Sequence, residues 1–282
     1  MIDLTNPGAQ VYVPDGSDPS SAIARTTHLA VGAHPDDIPI MAYDGILRCF
    51  GQTGSWFTGI TVTDGANSPR SGLYGDYTGV QMREVRIVEE RKAALIGEYS
   101  AAVLLDYPSA VAREGSNDQI VKELASLIAT ARPAVVYTHN LADKHDTHVA
   151  VALRTIAAIR RLPNNTRPTA VYGCEVWRDL DWMLDTDKVA LDVTAHSNLA
   201  AALIGVYDSQ IGGGKRYDLA TQGRRLAHAT FSASHLVDEA EAVTYAMDLT
   251  PLINDNSDAA AYVADHVERM QVDITDRIDR LS

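Results

Sequence analysis

Cysteine is scarce: Cys49 and Cys174 are the only two in 282 residues, both in apolar surroundings and without metal-type spacing. A disulfide framework and a cysteine-ligated metal site are excluded; buried free thiols in a reducing, cytoplasmic setting are expected. Basic residues are also in short supply. Lysine and arginine total 24 against 37 aspartates and glutamates, a formal charge of −13, which disfavours nucleic acid and anionic membranes as partners. No apolar run approaches the roughly 20 residues that span a bilayer. Residues 1–7 lack the basic and apolar regions of a secretion signal. Nucleotide fingerprints are missing too. No Gly-x-Gly-x-x-Gly follows the first strand-like run, and Gly212-Gly213-Gly214-Lys215 lacks both the preceding strand and the following Ser or Thr of a phosphate loop. It reads instead as a turn over a pocket mouth. No Gly-x-Ser-x-Gly elbow occurs, which weakens serine hydrolase chemistry.

What remains is an ordinary globular composition, 46% hydrophobic and 22% charged. Apolar runs at 27–33, 55–63, 102–106, 134–138, 169–177 and 188–194 read as strands. Helical spacing appears at 80–97, 117–131, 147–161, 197–209 and in the amphipathic tail 257–281. In 80–97 the apolar residues Val85, Val88, Leu95 and Ile96 carry the periodicity, with charges between them. The alternation predicts an α/β, Rossmann-like fold with a mostly parallel sheet flanked by helices and a C-terminal helical extension. Residues 1–26, rich in proline, read as an irregular arm. Residues 27–282 read as a single domain, the extension starting near 212.

Ala33-His34-Pro35-Asp36-Asp37 directly follows the first strand, and His145-Asp146-Thr147-His148 lies behind a later one. Carboxyl ends of strands are where α/β sheets gather ligands. His34 and Asp37 are three apart, so one loop or first helical turn aims both at a point, and His148 completes a three-ligand set of the kind catalytic zinc takes. Asp36 is left beside the metal as a general base for the attacking water. His145, one turn before His148, is placed to hold a developing oxyanion or protonate a leaving amine. Ser68, Arg70, His139 and Gln210 are candidate substrate contacts, with a packing role open for His139. Asp64 caps its loop or supports a ligand, and Asp143 or Asp146 supports the second histidine pair. Trp177, Trp182, Tyr172 and Tyr207 are candidates for stacking or for core. A His₂Asp set binds several divalent metals, Zn²⁺ among them.

These segments resemble the PIG-L/LmbE family of zinc-dependent N-deacetylases. The resemblance rests on Ala33-His34-Pro35-Asp36-Asp37, Thr63-Asp64-Gly65, Arg86-x-x-Glu89-x-x-x-Ala93-x-x-x-Gly97, Thr138-His139, His145-x-x-His148, Leu191-Asp192-Val193-Thr194 and Ser209-Gln210, covering about 27–210. It implies His34, Asp37 and His148 as metal ligands, Asp36 as base, His145 as the carbonyl-polarising group, Zn²⁺ as cofactor and an N-acetylated sugar or glycoconjugate as substrate. Ile38 and Pro39 stand where the family pattern puts an acid, and Asp146-Thr147 where it reads Pro-Asp. A sugar-binding protein that keeps the metal site without catalysis is the rival reading. A homo-oligomer is left open.

Overall fold

The structure, a computed structural model, describes residues 4–232, 234–254 and 257–282. Its strands are β1 (Gln10–Tyr12), β2 (His28–Gly32), β3 (Phe57–Thr63), β4 (Ala101–Tyr107), β5 (Val135–His139), β6 (Ala170–Cys174), β7 (Lys188–Asp192) and β8 (Val243–Asp248). They form one sheet in the order β1-β4-β3-β2-β5-β6-β8-β7. β4, β3, β2, β5 and β6 run parallel, while β1 pairs antiparallel with β4, and β8 antiparallel with both β6 and β7. The expected α/β sheet with flanking helices is therefore present. Its strand order reverses between β2 and β5, and the crevice beyond their carboxyl ends is the place where such sheets bind ligands. The loop with His34 leaves β2, and the segment leading to His148 leaves β5.

β2 is apolar and buried from Leu29 to Gly32 because helices cover both faces of the sheet. One buried cluster, including Val31, Val62, Val103 and Ile128, packs on one side, and another, including Ile38, Tyr43, Phe57 and Tyr137, on the other. The helix Gly79–Ile96 opens with a capping box, in which Thr78 accepts from the Gln81 amide and the Gln81 side chain reaches back to the Thr78 amide.

The structure departs from the sequence reading at both ends. Residues 1–26 are not wholly irregular. They supply β1 and the helix Pro19–Ala24, and Asn6 Nδ2 donates to the carbonyls of Leu105 (2.8 Å) and Asp106 (2.7 Å). The stretch after 212 is not only helical. It contributes β8, a run of five buried residues from Val243 to Met247, which local periodicity cannot tell from a core helix. The single helix expected over 197–209 breaks into Ser197–Gly205 and Asp208–Ile211. Among the described residues no helix is long and apolar enough to cross a membrane.

Candidate metal centre

The chain leaves β2 at Ala33 and turns immediately. Asp36 stands at the N-cap of the short helix Asp37–Met41, yet its side chain makes no capping bond. Its Oδ1 accepts from Nη2 of Arg86 instead. Asp37, in the first turn, bends back and accepts the His34 amide at 2.7 Å.

His148 arrives from the first turn of the helix Asp146–Arg160. Its Nδ1 faces Asp143 Oδ2 at 3.2 Å, a bond that fixes the ring and leaves Nε2 as a free lone pair toward His34. His34 Nδ1, Asp37 Oδ2 and His148 Nε2 make a triangle with sides of 3.1 Å (His34–His148), 3.2 Å (His34–Asp37) and 3.4 Å (Asp37–His148). A tetrahedral ion with bonds of about 2.0–2.1 Å sets its ligand atoms about 3.3 Å apart. The three atoms therefore fit a divalent ion in both spacing and donor type.

The electrostatics are consistent with that fit. Burial works against the charge on Asp37, but the imidazoles of His148, His139 and His34 hold its carboxyl well below the usual range. Burial also opposes a cation on His34, and the charge and hydrogen bond of Asp37 outweigh it, raising the His34 pKa. For His148 burial prevails and its pKa falls.

His145 stacks on His148 with ring centroids 4.5 Å apart and meets His34 edge-on at 5.0 Å. Its Nδ1 is buried without a partner. Burial, with the nearby His148 and His34, lowers its pKa, so the imidazole is neutral near pH 7. The ligand-type atoms of His34, His145 and His148 lie within 4.8 Å of one another, as do those of Asp37, His139 and His148.

His139 and Asp64 take the packing and loop-capping alternatives, and the other sequence candidates make local contacts. His139 is fully buried and stacks behind His148 at 3.9 Å, and its Nε2 accepts the Ala33 amide at 2.9 Å. It packs the site from behind and has no route to a substrate. Gln210, 3% exposed, lies against Ser209, to whose Oγ its Nε2 donates at 3.4 Å. Arg70 is exposed and folds back onto the Ala66 carbonyl, and Ser68 sits in the same loop as part of a turn closed by Gly65. Asp64 caps that loop by accepting the Ala66 amide at 3.0 Å. Asp146 is exposed; Asp143 supports His148, because it also accepts the amides of His145 and Trp177 and is thereby fixed under the ring.

Other groups at the site went unassigned in the sequence. Arg86 is buried between Asp36 and Glu89, and Glu89 accepts the Ser209 amide and hydroxyl at 2.7 Å each. In the helix Gly79–Ile96, Val88 and Leu95 are 49% and 57% exposed while Arg86, Glu89 and Glu90 are buried. Part of the apolar spacing thus faces outward while three charges face inward, beside the buried Met82, Ala93 and Ala94. Gly65, at φ 68°, passes directly over Arg86; a Cβ there would lie 3.0 Å from its Cγ. Ile38 fills the position where an acid was expected because it packs against Gly32 and Gly59 of β2 and β3. Arg86 and Asp143 provide the supporting contacts instead. Trp177 lies parallel to His145 at 6.3 Å, the Lys215 ammonium sits 4.9 Å over its ring, and Tyr217 meets its edge at 6.2 Å.

Residues 29–159 match the family described as PIG-L, GlcNAc-PI de-N-acetylase. A protein of Escherichia coli K12 named as the uncharacterized deacetylase YaiS is 31% identical over 149 residues, covering 51% of this chain and 74% of its own. The chain belongs to the PIG-L deacetylase family. Among solved structures, the 4-carboxy-2-hydroxymuconate hydratase GalB of Pseudomonas putida shares the fold at a TM-score of 0.61 and 19% identity, over 79% of this chain and 95% of that one. The N,N'-diacetylchitobiose deacetylase of Pyrococcus horikoshii superposes with a TM-score of 0.60 at 17% identity, over 86% of this chain and 87% of its own. The PIG-L match holds both histidine segments and Arg86 but stops before Trp177, Lys215 and Tyr217. The aromatic and ammonium groups beside His145 thus come from sequence outside the matched region.

Proposed function

We propose that this chain is a metal-dependent amide hydrolase that removes an N-acetyl group from an amino sugar or its conjugate. The observation that carries the proposal is the triangle of His34, Asp37 and His148 with Asp36 and His145 beside it. A divalent ion held by those three side chains, zinc being one that this donor set suits, would polarise the amide carbonyl and make water acidic enough to attack near neutral pH. Asp36 takes the proton of the attacking water. Arg86 fixes its Oδ1 and leaves Oδ2 for this task. His145, neutral and with its ring against His34, donates a hydrogen bond to the oxyanion. Asp36 then hands its proton to the departing nitrogen, and the products are acetate and the free amine. Trp177, Lys215 and Tyr217 form the wall against which the sugar lies.

The relatives favour this chemistry without fixing it. A hydratase shares the fold and adds water rather than cleaving an amide, so the fold does not choose the reaction. Family membership and the deacetylase relative favour hydrolysis. The test is acetate release from N-acetylglucosamine, N-acetylgalactosamine and N,N'-diacetylchitobiose, with added Zn²⁺ and with chelator. Release that chelator stops and Zn²⁺ restores is expected. Calorimetric binding of these sugars with no acetate from any of them would establish the sugar-binding rival instead.

A further inference from the structure

Away from the imidazole cluster, a cavity of about 460 Å³ lies between the helices Ser197–Gly205 and Tyr217–Phe231 and the start of β8. Its walls are largely apolar, with Val193, Ala200, Ile204, Ile211, Leu219 and Leu226. The volume is that of an ordinary small-molecule site. Arg225 also lines it and is only 6% exposed. Its Nη2 donates to the carbonyls of Pro39 (2.9 Å) and Ile40 (3.0 Å), and its guanidinium lies 4.9 Å from the Tyr43 ring. Its Nε is buried with no acceptor. Among the described residues no carboxylate forms an ion pair with it. Asp218, on the same cavity, pairs with Arg216 at 2.8 Å, and Glu241 is exposed at the rim. Burial pushes the Arg225 pKa down to about 10, while Tyr43 and the buried carboxylate of Glu175, which pairs with His228 instead, pull it part of the way back. Arginines this deeply buried ordinarily have a counter-ion.

We propose that this cavity binds a small amphipathic carboxylate, a medium-chain fatty acid or a molecule of that shape. The acid group pairs with the Arg225 guanidinium while its chain lies on the apolar walls. The guanidinium keeps its bonds to Pro39 and Ile40, which belong to the helix that begins at Asp37, so the ligand sits behind the metal triangle. The site is independent of the deacetylase reading.

The probe is decanoate, with decanol as its neutral counterpart, titrated calorimetrically into the full chain. Decanoate is expected to bind saturably and decanol about tenfold more weakly or worse, the difference that one charge-assisted bond makes. Ala201→Trp places a large ring on the cavity from an exposed helical position and leaves Arg225 intact. It should abolish decanoate binding. Arg225→Gln should make the two ligands bind alike. Equal binding of both to the wild type, or decanoate binding that survives Ala201→Trp, would overturn the proposal. So would a dimer that Ala201→Trp splits, because the cavity would then be the seat of a second copy.

Discussion

The helix Asp37–Met41 joins two unlike buried environments. At its N-terminal end each charge is answered from within the chain: Asp37 by three imidazoles, and Arg86 by Asp36 and Glu89. At its C-terminal end the carbonyls of Pro39 and Ile40 meet Arg225, which has backbone and ring partners and the charge of Glu175 nearby but no ion pair among the described residues. Both ends have hydrogen-bonded geometry, and only one is electrically closed. Ligand atoms 3.1–3.4 Å apart match the spacing that a tetrahedral divalent ion sets. A buried guanidinium without an ion pair beside an apolar cavity is the arrangement to which the proposed carboxylate ligand adds a partner.

The largest effect should come from opening the closed end. His148→Ala removes one corner of the triangle, and bound metal measured by elemental analysis after dialysis should fall below about one-tenth of wild type, with activity lost alongside. Full metal occupancy in that variant would sink the ligand assignment. Asp36→Asn separates proton transfer from metal holding, since Asp36 is not a corner of the triangle. Turnover should drop about 10³-fold with metal content unchanged. If metal and rate fell together, Asp36 would have to be a ligand. Asp143→Ala leaves the triangle but frees the His148 ring, and a chelating-dye competition should show metal affinity about 10–100-fold weaker.

A separate effect, on stability and not on the metal, concerns a charge that the protein keeps suppressed. Burial pushes Glu90 up to about 8 from 4.5, against the hydrogen bond from Thr61 and the nearby Arg86. The folded state therefore holds a proton that the unfolded state releases, and this group's contribution to stability is full below pH 4.5 and lost as pH rises to about 8. Between pH 5 and 8 the wild type should lose about 3 kcal/mol relative to Glu90→Gln in urea unfolding. Parallel stability profiles for the two proteins would refute it.

Legibility differed between these regions. His34, Asp36, Asp37, His145 and His148 stood out because contiguous residues follow strands, and the chain direction alone puts strand ends on one edge. Arg86 and Glu89 were visible only as part of a motif on a helix, and hydrophobic spacing assigned them no role. Periodicity assumes that charges prefer water; here Asp36 and Ser209 offer them buried partners. Asp143 and Asp146 were equivalent as letters, and a loop bond to the His145 amide separates them. Nothing in the local sequence marked Arg225 or β8.

The amino-acid order by itself determined the alternation of strands and helices, the parallel sheet, and the delivery of imidazoles and carboxylates to its carboxyl edge, because each depends on neighbours a few residues apart. Only the tertiary structure decided which of those groups meet. His34 touches His148 across 114 positions and Asp36 touches Arg86 across 50. Such contacts depend on the strand order reversing between β2 and β5 and on which helix face the core accepts. Those are outcomes of packing the whole chain, and the burial of Arg225 beside an apolar cavity is another.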